Sequence, residues 1–198
     1  MNDLTQYVNL AAEEVGGQAL YATDEFFAEK ENLLKTGRGV FIEDKYTDRG
    51  KWMDGWESRR KRLPGHDWCV IQLGLPGMIK GVDVDTNHFL GNFPEYCSLE
   101  ACCLEGEVPL EKLLTEDFPW VEIIPLSKLK GGSQNLFPLA DERTWTHLKL
   151  HIYPDGGVSR LKVHGQPIPN WEKLLQSNDV IDLAALANGG RVEICNDM

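Results

Sequence analysis

The sequence predicts a mostly β protein, an antiparallel sandwich or jelly roll with short flanking helices. Three observations predict it. From Asp67 onward the chain divides into seven short runs of strand character, several with clean apolar–polar alternation. Turn signals separate the runs at Leu75-Pro76-Gly77, Lys130-Gly131-Gly132 and Pro154-Asp155-Gly156-Gly157. The chain has 198 residues, 42% of them hydrophobic, enough for one sizeable core.

Residues 7–15 read as a short helix, because Val8, Ala11, Ala12 and Val15 recur at helical spacing and Gly16-Gly17 supply a stop. Residues 18–66 are rich in charge, glycine and aromatics and carry few periodic apolar runs. A long irregular segment inside a compact domain is usually functional or mobile. The expected strands are 67–74, 79–89, 98–104, 120–125, 134–139, 145–153 and 158–164. In the sixth, Trp145, His147, Lys149 and His151 share one face, and Leu148, Leu150 and Ile152 lie on the other. Pro154-Asp155-Gly156-Gly157 reads as a hairpin loop between two long strands. Helices close the pattern at 170–176 and 180–187.

Lys and Arg number 20 against 31 Asp and Glu, a net charge of −11. Such a surface repels phosphate backbones and anionic membranes, so neither nucleic acid nor a membrane is an expected partner. No apolar run reaches the ~18 residues of a membrane span, and the acidic start lacks the basic and apolar regions of a signal peptide. The cysteines are Cys69, Cys97, Cys102, Cys103 and Cys195, with no CxxC pair. They read as reduced, mostly buried thiols of a cytoplasmic protein.

The two ends of the chain resemble each other at an offset of 173 residues. Eighteen aligned positions share Leu10, Ala11, Ala12, Gly16, Gly17 and Asp24 with Leu183, Ala184, Ala185, Gly189, Gly190 and Asp197. Taken as a repeat, this divides the chain into an N-terminal helical segment (1–17), one repeat (18–178), and a linker helix with the start of a second repeat (179–198).

The chemistry concentrates in 44–68, DKYTDRGKWMDGWESRRKRLPGHDW. Acids and bases alternate there around Trp52, Trp56 and Trp68. In a partly desolvated pocket, arginine forks hold carboxylates, and carboxylates accept from N–H donors. The bland alternative is a salt-bridged loop anchored by tryptophans. The basic run Arg59-Arg60-Lys61-Arg62 is too closely neutralised to signal nucleic-acid binding. A second polar cluster joins Asp83 and Asp85, on one strand face, to His88 and Glu95 in the loop that follows. Acid–His–acid groups at a strand end suit general acid/base work, a divalent metal, or simple turn chemistry. His147 and His151 lie about 13 Å apart along their strand, too far for one metal. HExxH, P-loop, GxGxxG and GxSxG motifs are absent.

These segments resemble the allantoicase (allantoate amidinohydrolase) family. The resemblance is carried by Ala22-Thr23-Asp24-Glu25-Phe26-Phe27-Ala28, Lys45-Tyr46-Thr47-Asp48-Arg49-Gly50-Lys51-Trp52, Met53-Asp54-Gly55-Trp56-Glu57-Ser58-Arg59-Arg60, Gly91-Asn92-Phe93-Pro94-Glu95 and Leu129-Lys130-Gly131-Gly132-Ser133-Gln134-Asn135. It implies tandem jelly-roll repeats of the galactose-binding-like type, and hydrolysis of allantoate to ureidoglycolate and urea in purine (allantoin) breakdown. For that reaction the expected roles are a carboxylate clamp from Arg59 or Arg60, N–H acceptors at Asp54 and Glu57, and acid/base work by His88 positioned by Asp85 or Glu95. Arg49, Asn92, Gln134 and Asn135 are the further expected substrate contacts. No cofactor is singled out; a divalent cation such as manganese is compatible, though no ligand spacing demands one. A homo-oligomer is expected. The competing expectations are a non-catalytic jelly-roll module for carbohydrate or another small ligand, and an inactive fragment.

Overall fold

The computed structural model describes residues 4–106, 108–176, 180–190, 192 and 196. Its strands are β1 (Val8–Asn9), β2 (Gln18–Ala22), β3 (Tyr46–Thr47), β4 (Gly50–Lys51), β5 (Trp56–Glu57), β6 (Asp67–Asp85), β7 (Tyr96–Cys102), β8 (Val121–Lys128), β9 (Gln134–Pro138), β10 (Thr144–Tyr153), β11 (Gly157–Val158) and β12 (Arg160–Pro167). Two short helices, α1 (Leu110–Leu113) and α2 (Trp171–Gln176), accompany them.

β6 organises the sandwich. Its first half pairs with β2 and β10, and β10 carries β7 and then β8. Its second half pairs with β9 and β12, and β12 carries β1. The strand therefore belongs to both layers, and all of these pairings are antiparallel. Cys69, Ile71 and Leu73 from its first half and Val82 and Val84 from its second join the same buried core as Leu99, Leu148, Leu150, Ile152, Leu161 and Val163. Each such side chain contributes about 1.5–3 kcal/mol by leaving water. The inward parity changes from odd to even where the β12 register slips between His164 and Gly165, opposite Gly81 and Ile79. That bulge turns Asp83 and Asp85 away from the core.

The strand pattern held, with corrections. The runs 67–74 and 79–89 are one strand ending at Asp85. Pro76 does not break it, because the strand there is changing layers. The main chain is bonded instead by Leu10 and Ile168: Gly74 and Leu75 donate to the Leu10 carbonyl, and Ile168 donates to that of Pro76. The helix expected at 7–15 is β1 followed by a single 3-10 turn at Glu13–Val15. Its helical spacing is outweighed by tertiary bonds: Leu10 donates to the Val163 carbonyl, and Asn9 Oδ1 accepts from the Val163 N–H. Residues 180–187 likewise form no helix, only a bend leading into a 3-10 turn at Leu186–Asn188. The helix expected at 170–176 is α2, one residue shorter. The 178/179 boundary, Cys195, Asp197 and Met198 lie outside the described residues.

The hairpin expected at 154–157 does not form. β10 pairs with β6 and β7, and β12 pairs with β6 and β1, so the connection passes from one layer to the other. Cys69, Cys97 and Cys102 are free and buried, and Cys103 is free and exposed. Burial pushes the thiols of Cys97 and Cys102 up to about 12 and that of Cys69 in the same direction, which leaves them inert. Among the described residues no helix is long and apolar enough to cross a membrane.

Candidate active site

The site lies where four connections meet at one end of the sandwich: the segments around 24–28, 57–61, 88–95 and 154–157. β5 sets it up. Trp56 is fully buried, and its indole N–H donates to the Asp24 carbonyl at 2.8 Å. Its neighbour Glu57 therefore points the opposite way, into a cavity of about 470 Å3 that Ser58, Arg60, Lys61, Asn92 and Asp155 also line. A second cavity of about 490 Å3, reaching Lys51 and His88, shares the wall formed by Phe27, Glu57, Gly91 and Asn92. Glu57 stands between two lobes.

β11 holds that wall in place. Gly157 pairs with Glu57 and donates to the Asn92 carbonyl at 2.8 Å. A Cβ at Gly157 would collide with the Phe89 ring, so only glycine fits. Asn92 in turn donates to Glu57 Oε1 at 2.7 Å. Burial raises the pKa of Glu57, and the Asn92 bond offsets this only in part. Among the described residues no cation pairs with it. The result is a carboxyl group that holds its proton to higher pH than a solvated one.

The expected site residues separate into two groups. Glu57, Arg60, Asn92 and Glu95 line the first lobe, and His88 reaches the second. The others are engaged elsewhere. Asp54 is buried against Arg160, which donates to Oδ2 at 2.8 Å. Burial pushes its carboxyl up, but bonds from Arg160 and the Val40 N–H outweigh that and hold it below the usual range. Asp85 takes Arg38 as a two-bond fork, at 2.7 and 2.9 Å. His88 sits at φ 69° with its Nε2 3.2 Å from the Gly39 carbonyl, so neither Asp85 nor Glu95 positions it. The acid–His–acid arrangement does not form. Arg59 is paired with Asp24 at 2.7 Å, and Arg49 bonds the Phe26 carbonyl beside a separate cavity. Gln134 donates to Asp83, and the Asn135 amide is spent on the Lys130–Ser133 turn and Val84.

Lys61 and Asp155 were missed as lining residues. Lys61 sits inside the charged run without a motif of its own, and Asp155 looked like turn chemistry. Among the described residues no three His, Cys, Asp or Glu side chains converge to hold a metal ion, and the carboxylates of Asp54 and Asp85 already carry guanidinium partners. The donor set does not fit a manganese site.

Comparison with known proteins decides the family. The allantoicase repeat family matches residues 8–168. The chain belongs to the allantoicase family. It is 50% identical to probable allantoicase 1 of Burkholderia mallei over 97% of this chain and 55% of that protein. It is 48% identical to the probable allantoicase of Photobacterium profundum over 97% and 56%. The crystal structure of allantoicase from Saccharomyces cerevisiae superposes with a TM-score of 0.76 at 34% identity, covering 92% of this chain and 52% of that one. The chain thus spans about half the length of the curated allantoicases it matches. A family 32 carbohydrate-binding module from a Clostridium perfringens glycoside hydrolase shares the fold alone, with a TM-score of 0.54 at 13% identity over 82% of this chain and 96% of that one. The galactose-binding-like jelly roll expected from the sequence is the fold observed.

Proposed function

We propose that this allantoicase repeat binds allantoate between its two lobes and hydrolyses it to ureidoglycolate and urea, with Glu57 as the general acid. The observation that carries the reading is Glu57 itself. It is a buried acid without a cationic partner among the described residues, at the junction of two lobes, one of which presents Arg60. Allantoate is a carbon bearing one carboxylate and two ureido groups, so a two-lobed site with a guanidinium in one lobe suits its branching.

The roles follow from the chemistry. Arg60 holds the carboxylate. Glu57 gives its proton to the ureido nitrogen as the C–N bond breaks; the bonding electron pair stays with that nitrogen and urea leaves. The lone pair of the remaining ureido nitrogen supports the cationic carbon. Water adds to that carbon and returns a proton to the Glu57 carboxylate, so acid and base are one residue and the protons balance. Asn92 fixes the direction of Glu57, and His88 faces the second ureido group from the other lobe.

The test is steady-state urea release from allantoate. E57Q should lower kcat about 10²- to 10⁴-fold, the usual size of an acid/base contribution. R60A should act chiefly through KM. Because burial raises the Glu57 pKa, the rate should fall as pH climbs through that raised value, and E57Q should lose this limb. A correctly folded E57Q that keeps most of kcat would overturn the assignment.

A further inference from the structure

Three consecutive basic residues, Arg59, Arg60 and Lys61, meet three different fates. Arg59 is held twice by Asp24: its main-chain N–H donates to Oδ1 at 2.9 Å and its Nε to Oδ2 at 2.7 Å. Asp24 is itself anchored, because the indole of buried Trp56 bonds its carbonyl. Lys61 is held at both ends. Its main-chain N–H donates to Asp155 Oδ2 at 2.7 Å, and its ammonium reaches Asp67 Oδ1 at 2.5 Å. Among the described residues no acid pairs with Arg60, which lines the first lobe.

The two main-chain contacts come from 35 and 94 residues away in sequence, so they are tertiary. They fall on the residues immediately before and after Arg60. The connection carrying Asp155 is also fastened to this segment at Ser58, whose N–H donates to the Gly156 carbonyl at 3.2 Å. A peptide segment with both flanking N–H groups fixed has little freedom left to rotate the residue between them. The acids also neutralise the two outer cations, and the middle one keeps its charge for a ligand.

We propose that Asp24 and Asp155 are positioning residues, which clamp the main chain on either side of Arg60 and aim its guanidinium into the cavity to receive the substrate carboxylate. The proposal rests on the carboxylate role given to Arg60 above. Neither acid needs to touch the reacting atoms. Asp67 completes the arrangement by holding the Lys61 ammonium at the cavity edge.

The experiment compares D155A, D155N, D24A, R60A and the R60A/D155A double variant in the full chain. It reads kcat and KM for allantoate and the amide hydrogen exchange of Lys61. D155A and D24A should each raise KM about tenfold with kcat nearly unchanged, as expected when orientation of a binding group is lost. D155N retains a carbonyl oxygen for the Lys61 N–H and should recover most of the loss. The double variant should be no worse than R60A alone, because the clamp works through Arg60. Independent, multiplying effects of R60A and D155A would overturn the proposal. If the unmodified chain releases no urea, the reaction assigned above fails, and the clamp is judged by exchange and by the relaxation of the Arg60 Nε–H signal. Faster exchange at Lys61 and a looser Arg60 in D155A but not in D155N sustain it, and equal behaviour in all three proteins overturns it.

Discussion

Residues 8–17 and 181–190 have the same local structure and opposite environments. In the first, Ala12 donates to Asn9, Val15 to Ala12, Gly16 to Glu13 and Gly17 to Ala12. In the second, Ala185 donates to Asp182, Asn188 to Ala185, Gly189 to Leu186 and Gly190 to Ala185, each bond displaced by the same 173 residues. Asn9 and Asp182 each take a main-chain N–H two residues on. Gly16 and Gly189 both stand at positive φ, 95° and 87°. A Cβ on Gly17 or Gly190 would strike the carbonyl of Ala11 or Ala184. Yet Leu10 is fully buried and its counterpart Leu183 is 72% exposed. The turn is written by the short-range sequence, an Asx residue and two glycines. The burial is supplied by docking: Leu10 bonds Gly74 and Leu75 of β6 and Val163 of β12. The second copy only borders the far end of β12 through Leu186, Gly189 and Gly190 and leaves its leucine outside.

The largest expected effect tests that separation directly. Leu10→Ala should cost about 2–5 kcal/mol, the range for truncating a buried leucine, while Leu183→Ala should stay within about 0.5 kcal/mol. Midpoints of urea unfolding measure both. Equal losses would mean that the second copy is packed as tightly as the first, and the contrast would be broken.

The same contrast recurs on β6, between two acids rather than two turns. Asp83 and Asp85 share a face, two residues apart, and both are fully buried. Asp85 holds the Arg38 fork, whereas Asp83 has the Gln134 amide on one oxygen and no partner among the described residues on the other. Burial, reinforced by the Asp85 charge and only partly relieved by Gln134, pushes the Asp83 pKa up to about 6. A folded-state value above the unfolded value means that the folded chain binds the extra proton. This stabilising contribution is complete below the unfolded pKa and is lost as pH rises through about 6. Between roughly pH 4 and pH 7 the unmodified chain should lose on the order of 2–3 kcal/mol relative to D83N. Parallel stability curves for the two proteins across that window would show that Asp83 is ionised in the fold throughout.

What the sequence discloses follows the same division between local and tertiary causes. The alternation in 145–153 and the runs of β6 and β12 are local, and they were readable as strands. The charged Trp52–Arg60 stretch was readable as the functional segment because its composition is dense in chemistry. The partners were not readable. Asp54 looked like a substrate acceptor until Arg160 occupied it from 106 residues away. Asp85 looked like an orienter for His88 until Arg38 took both its oxygens. Pro154-Asp155-Gly156-Gly157 carries every sign of a hairpin turn, and nothing within it reveals that the strands it joins lie in different layers. Composition places the groups near one another in sequence, and only the fold determines which charges are spent on each other and which remain for a ligand.

The smallest effect sharpens the first comparison at its pivot, the Asx side chain. Asn9 Oδ1 accepts from the Ala11 N–H at 3.3 Å and from the Val163 N–H at 2.8 Å, so it serves both the turn and the dock. Asp182 Oδ1 accepts from the Ala184 N–H at 2.9 Å, in an exposed setting. Asn9→Ala should therefore leave a partly buried strand N–H unpaired and cost about 1–2 kcal/mol. Asp182→Ala exposes its N–H to water and should cost less than about 0.5 kcal/mol. Amide exchange separates the two functions within one residue. Asn9→Ala should speed exchange at both Val163 and Ala11, and Asp182→Ala at Ala184 alone. If Val163 remained protected without the Asn9 amide, the bond to Leu10 would be holding β1 on β12 by itself, and the side chain would serve only the turn, as it does in the second copy.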